Sequence, residues 1–254
     1  MINGEIIVTA GCGGIGAEFT KVLLQHGYSV IPTTRSIEAG NSFLEKELKT
    51  SDESDERSRC FPVVLNYDTE EEISNFCKLL EDREIYGLVN CAANRTFGNT
   101  EHFSEWQKHF QVDVFATSML SIAVADKLIK ADGRIINISS FYSINVPDNR
   151  VYDAGMQPSG LIYGSAKAAM NYVTKYLAVQ YAPANITVNA ILPGGVENKD
   201  RQTEFFQREY KKRTPMNRMA NIKDFNEALL FFLDKGSSFC TGQLLSIDGG
   251  WGLW

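Results

Sequence analysis

EIIVTAGCGGIGAEF, residues 5–19, runs from an apolar stretch through four glycines into an amphipathic segment. The apolar stretch lacks alternation, which is how a strand buried on both faces reads. The segment that follows, GAEFTKVLLQHG, has the apolar spacing of a helix. Glycines between a strand and a helix allow positive φ and a close backbone approach, and the helix N-terminus offers free N–H groups to an anion such as a pyrophosphate. A glycine-rich turn alone is weak evidence, because tight turns need glycine anyway. Its position at the first strand, first turn and first helix makes a dinucleotide site the functional reading.

Beyond this unit the same alternation continues. Apolar runs recur at 28–34, 61–67, 87–92, 133–140, 186–193 and 243–248, separated by helix-like stretches such as EEEISNFCKLLEDR and SAKAAMNYVTKYLAVQY. Strand alternating with helix predicts an α/β fold, a doubly wound parallel sheet of about seven strands with helices on both faces. The charge run at 42–59 reads as a solvated helix and loop. At 254 residues the chain reads as one domain, 1–254.

Composition narrows the classes. Hydrophobic residues at 44% and charged residues at 22% are ordinary for a globular protein. A net charge of -6 speaks against a general nucleic-acid binder. The five cysteines are scattered with no CxxC pair, so neither a disulfide framework nor a metal site is expected, and a reducing cytoplasm is the expected location. No stretch reaches the ~18 apolar residues of a membrane span, and no targeting signal is evident. His26, His102 and His109 lack metal-ligand spacing. Cys12 falls at a helix N-terminus, a setting that favours thiolate, although a plain small turn residue is the preferred reading.

The second strand ends VIPTTRS, with Arg35 and no carboxylate before Glu38. An acid here would hydrogen-bond the ribose hydroxyls of NAD, whereas Arg35 could pair with the 2′-phosphate of NADP, so NADP(H) is expected over NAD(H). The alternative is an ordinary surface arginine, and Gly13 adds no second cation.

In YGSAK, Tyr163 and Lys167 lie four apart and share a helix face. An ammonium near a tyrosine stabilises the phenolate and makes the hydroxyl a usable proton donor or acceptor. Tyr142 and Tyr152 have no such lysine, since Val146 and Met156 sit four residues on. NISS at 137–140 ends the predicted fifth strand, where ligands bind in open α/β sheets, so Ser140 could donate a hydrogen bond to a substrate oxygen.

The order of TAGCGGIG, LVNCAA at 88–93, NISS, YGSAK, NAILPGGV at 189–196 and TGQLLSIDGG at 241–250 resembles the short-chain dehydrogenase/reductase family over nearly the whole chain. The resemblance implies a Rossmann-like fold and NAD(P)-dependent hydride transfer between an alcohol and a ketone or related group. It makes Tyr163 the general acid/base, Ser140 the residue that polarises the substrate oxygen, and Lys167 both the cation beside Tyr163 and a ligand of the nicotinamide ribose. It assigns cofactor contacts to Gly11, Gly14, Ile15, Gly16, Asn90, Ala92, Pro193, Gly194 and Val196, with Arg35 as above. It also implies homo-oligomers, tetramers or dimers, built partly through the long helices near 103–130 and 159–181.

The chain departs from the family pattern in three places. Ala10 replaces the first glycine of the turn. Ala93 stands in place of a glycine in the loop after the fourth strand, and Cys91 in place of an asparagine. Asp113, the fourth candidate catalytic residue, stands where the family places an asparagine that supports a proton relay. A carboxylate only accepts hydrogen bonds. If the relay uses the backbone carbonyl, Asp113 can serve; if the side chain must donate to hold a helix kink, it cannot.

Ser140 and Tyr163 are 23 residues apart, more than in members with shorter loops. The added length, within 141–160, is expected to be a substrate loop, with Tyr152 and Gln157 as candidate substrate contacts. Its polar groups suit a sugar or sugar derivative. Residues 195–219 are expected to form a lid; its cations could attract an anion, while interleaved acids point to a solvated amphipathic helix. The loop and lid also resemble a branch linked to bacterial surface or flagellar glycan biosynthesis, including legionaminic-acid-type sugars. The leading reading is an NADP(H)-dependent ketoreductase or alcohol dehydrogenase acting on a sugar or sugar derivative. The alternatives are a 3-oxoacyl thioester reductase and a non-catalytic nucleotide-binding regulator.

Overall fold

A computed structural model of the chain describes residues 4–48, 54–94, 102–154 and 156–254. Residues 49–53 of the charge run lie outside the described residues. Seven parallel strands form one sheet: β1 (Glu5–Val8), β2 (Ser29–Thr34), β3 (Val63–Val64), β4 (Ile85–Asn90), β5 (Arg134–Ile138), β6 (Thr187–Pro193) and β7 (Leu244–Ile247). Their order is β3-β2-β1-β4-β5-β6-β7. Six of the strands fall inside the apolar runs, β4 begins two residues before its run at 87–92, and the fold is the expected doubly wound α/β sheet.

The lack of alternation in β1 has its cause in the two layers of helices. Ile6 and Val8 point into one core with α1 (Gly14–Gln25), α2 (Ile37–Lys46) and α10 (Asn226–Leu233). Ile7 points into the other, against α4 (Glu70–Lys78), α6 (Thr117–Ala123), α7 (Ala125–Ile129) and α8 (Leu161–Tyr181). All three side chains are fully buried, so both faces of the strand must be apolar. The short α3 (Ser54–Ser58) precedes β3; α5 (Phe103–Phe110) precedes α6, and α9 (Glu204–Arg213) lies in the expected lid.

Strand order reverses between β1 and β4, which opens a crevice at the carboxyl ends of the strands. Between α5 and α6, residues Gln111–Ala116 form a π-helical segment. The hydroxyl of Thr117 donates to the carbonyl of Val112 at 2.9 Å, satisfying a group that the wider turn leaves without its usual partner. This segment rotates Asp113 into the protein, where it is buried.

Candidate active site

The glycine turn is shaped by contact as much as by dihedral freedom. Gly14 has φ +55°, in the left-handed region. A Cβ on Gly11 would lie 2.6 Å from Pro32 Cβ, and one on Gly16 would run into the carbonyl oxygen of Ala10. The chain therefore packs α1 directly onto the turn and leaves the helix N-terminus, capped by Gly13 without a side chain, facing outward. Above Gly13 an added Cβ would meet nothing within 4 Å. Gly14 and Ile15 line the adjoining cavity. Open space before free N–H groups fits the pyrophosphate of a dinucleotide.

Neighbouring strands brace this turn. Thr9 Oγ1 accepts from the backbone N–H groups of Cys91 and Ala92, each at 2.9 Å, and Thr33 Oγ1 accepts from Ala10 N at 3.2 Å. Asn90 points inward: its amide donates to Ser121 Oγ at 3.0 Å and to Asn137 Oδ1 at 2.8 Å. Asn137 in turn donates to Thr174 Oγ1 at 2.9 Å. This buried chain of polar groups fixes β4 and β5 against α6 and α8. Gly11, Gly16, Asn90 and Ala92 thus shape the crevice from behind, while Gly14, Ile15, Pro193, Gly194 and Val196 are on its wall. Arg35 is exposed just beyond β2 and makes no ion pair among the described residues. Glu38 is occupied at the start of α2, where its own N–H and the Ser36 hydroxyl hold its carboxyl below the usual range.

Ser140, Tyr163 and Lys167 line one cavity of about 810 Å³ together with the turn residues. Ser140 Oγ accepts from Tyr142 N at 3.1 Å, which leaves its hydroxyl hydrogen to donate elsewhere. The preceding Ser139 donates to Asn171 Oδ1 at 2.7 Å, so of the two serines it is the structural one. Lys167 Nζ lies 5.9 Å from the ring centroid of Tyr163 and donates to the carbonyl of Ile138 at 3.0 Å. The arrangement offers two hydroxyls and a buried cation around one space, enough to bind and protonate a carbonyl oxygen.

Asp113 meets that cation directly. Its Oδ1 is 2.9 Å from Lys167 Nζ, and its Oδ2 accepts from Asn94 N at 2.9 Å. His109, which also lines the cavity, brings Nδ1 to 3.9 Å from Oδ2. The Asp113 side chain accepts from Asn94 N, and the π-helical segment carries its own side-chain bond from Thr117 to the Val112 carbonyl. Removing one partner of a buried ion pair typically costs about 3–5 kcal/mol.

The loop and lid differ from expectation in what faces the cavity. Tyr152 and Gln157 do not line it; Tyr142, Met156, Ser159 and Gly160 do. Tyr152 instead packs its ring 5.0 Å from Phe206 of α9, and its hydroxyl lies 3.1 Å from that of Tyr142. Asp153 accepts from the Thr203 hydroxyl at 2.9 Å, and Asp148 pairs with Arg213 at 3.3 Å. Much of the loop's polar content therefore braces the lid helix. Burial holds Tyr142 above the usual tyrosine range, with Tyr152 adding to the effect, so it remains a neutral phenol. In the lid, Lys211 pairs with Glu197 at 2.7 Å, and Arg208 and Lys212 both pair with Glu209. Asn198, Lys199, Arg201 and Gln202 face the cavity. The Cys12 thiol is pushed up to about 11 by burial, in line with a plain turn residue and against a thiolate.

Comparison with known proteins agrees with this geometry. A family model described as enoyl-(acyl carrier protein) reductase matches residues 10–252. L-xylulose reductase of Caenorhabditis elegans is 31% identical, over 97% of this chain and 94% of its own. Post-translational flagellin modification protein A of Campylobacter coli is 27% identical over the full length of both chains. The crystal structure of a short-chain dehydrogenase from Leptospira borgpetersenii with bound NAD+ superposes with a TM-score of 0.84 at 27% identity, covering 98% of this chain and 92% of that one. The glycine turn at the switch point, the serine, tyrosine and lysine around one cavity, and these matches along the whole chain place the protein in the short-chain dehydrogenase/reductase family of nicotinamide-dependent oxidoreductases.

Proposed function

We propose that the protein is an NADP(H)-preferring ketoreductase or alcohol dehydrogenase whose substrate is a sugar or sugar derivative. The observation that carries this reading is the convergence of Ser140, Tyr163 and Lys167 on the cavity that Gly14, Ile15, Pro193 and Gly194 also line. The nicotinamide, when bound, supplies or accepts the hydride. In reduction, Ser140 donates a hydrogen bond to the carbonyl oxygen and Tyr163 delivers the proton to it. In oxidation, Tyr163 acts as the phenolate, stabilised by the Lys167 ammonium, and becomes the neutral phenol on taking the hydroxyl proton. Lys167 has three donors; Ile138 accepts from one and Asp113 lies beside the ammonium as its counter-ion, so donor capacity remains for the ribose hydroxyls.

The preference for NADP(H) rests on Arg35, exposed and without an ion pair among the described residues, where an adenosine 2′-phosphate would meet a guanidinium. The polar substrate rests on the lid groups Asn198, Lys199, Arg201 and Gln202, together with Ser159, rather than on the residues first expected from the loop. A sugar-modifying role also accords with the likeness to L-xylulose reductase and to the flagellin modification protein. Scattered cysteines with no disulfide among the described residues favour the cytoplasm, and exposed apolar helix faces favour a homo-oligomer. A second reading, reduction of a 3-oxoacyl thioester, is favoured by the apolar wall of Phe141, Met156 and Met219.

The test is a screen of NADPH and NADH oxidation against ketoses, keto-sugars, nucleotide sugars and acetoacetyl thioesters, together with the reverse reactions. Turnover of a sugar with NADPH, lowered by about 10²-fold or more in Tyr163→Phe with cofactor affinity kept, is the expected result. Turnover of thioesters alone would establish the second reading. Tight cofactor binding with no turnover of any class would leave a nucleotide-binding regulator.

A further inference from the structure

The family's asparagine is neutral, whereas this chain sets a carboxylate 2.9 Å from the ammonium that faces Tyr163. One carboxylate oxygen lies against the Lys167 ammonium as its counter-ion, and the other accepts from the N–H of Asn94. Lys167 and Asp113 are at most 4% exposed in their side chains, so little solvent screens them. The ring centroid of Tyr163 is 5.9 Å from the ammonium, about twice the ammonium-to-carboxylate separation. At that range the tyrosine meets a cation with its counter-charge close by, and a paired charge acts more weakly at a distance than a lone one.

We propose that Asp113 damps the influence of Lys167 on Tyr163 and so moves ionisation of the tyrosine, and the onset of alcohol oxidation, to higher pH. This inference rests on the reading of Tyr163 as the proton-transfer group. Asp113 acts through Lys167 and is a positioning residue. The other ionisable groups around this point are Glu105 and His109 from α5, Cys91 beyond β4 and Tyr142 from the loop. From the lid come Glu197 with its partner Lys211, Arg218 with its partner Asp224, and Lys199 and Arg201. None of these stands between Lys167 and Asp113, which are in direct contact.

The experiment reads Tyr163 directly. Ultraviolet difference titration of the full chain, each protein minus its Tyr163→Phe counterpart, follows phenolate formation at this one residue and needs neither substrate nor cofactor. Asp113→Asn, close in shape and neutral, should lower the midpoint by roughly one pH unit or more, the scale on which a neighbouring charge acts. Asp113→Glu should bring it back toward the wild-type value, which a purely structural role would not produce. If Asp113→Asn fails to fold, Asp113→Ser carries the same expectation, because it removes the charge and keeps an acceptor for Asn94 N. An unmoved or raised midpoint in the neutral variants overturns the inference. If the midpoint shifts as expected but the substrate screen finds no Tyr163-dependent turnover, the tuning stands and the enzymatic reading falls.

Discussion

Ala10 sits at φ +51°, in the left-handed region, at the position where the family turn has glycine. A Cβ there is strained by about 1–2 kcal/mol, while glycine gives back part of that gain through the greater freedom of its unfolded chain. The residue is exposed, so little burial is lost with its methyl group. Ala10→Gly should therefore stabilise the protein by ~1 kcal/mol, read as a rise in the denaturant midpoint with unchanged slope; a loss of stability would mean that Ala10 is held by something other than its own backbone. That the serine, tyrosine and lysine line one cavity was legible from helical spacing, a strand end and the order of motifs. The meeting of Asp113 with Lys167 was not, because the two lie on separate helical segments and only the π-helical turn aims the carboxylate inward.

The seven strands and the helices between them were legible for the same reason that they form: both faces of the central strands are buried, so hydrophobicity runs unbroken in them and periodic in the helices. What the loop at 141–160 does could not be read this way. Its polar residues looked like substrate contacts, yet which of them turn to the cavity depends on where α9 lies, a tertiary fact without a local signal. Arg213, near the end of α9, joins three parts of the structure. Its guanidinium lies 4.7 Å from the centre of the Trp251 ring, pairs with Asp148 of the loop and donates to the Trp254 carbonyl. Arg213→Ala should cost about 1–2 kcal/mol in stability and, by freeing loop and lid together, raise KM for the substrate more than it lowers kcat. Arg213→Lys should recover little of this, since a lysine lacks the flat face that stacks on the indole. Equal losses in kcat and KM terms would place the effect at the reacting groups instead.

Among the described residues, two neighbouring helical faces remain apolar and open once the core is complete. Phe115, Met119 and Ile122 follow one another at helical spacing along the π-helical segment and α6, and Tyr172, Tyr176 and Val179 do so along α8. Exposures of 54% for Phe115, 55% for Ile122 and 79% for Val179 are large for side chains of this kind. α8 packs against the π-helical segment, so the two stripes adjoin on one side of the molecule. A contiguous apolar surface of this sort is costly in water and suits association. A second copy related by a twofold axis would lay the same stripes against each other, and each side chain would then occur twice in the contact. A charge introduced there would face its own copy across the axis as a like charge in a dry interface, weakening association by about 3 kcal/mol, or roughly a hundredfold. Ile122→Glu together with Val179→Glu should therefore halve the mass measured by sedimentation equilibrium at micromolar concentration while leaving the circular dichroism spectrum of the fold unchanged. An assembly of unaltered mass would put the interface elsewhere, and a monomeric wild type would remove it. The surface lies on the far side of α8 from the residues that line the cavity, so a dissociated protein that keeps its turnover per chain would show that each chain carries a complete site.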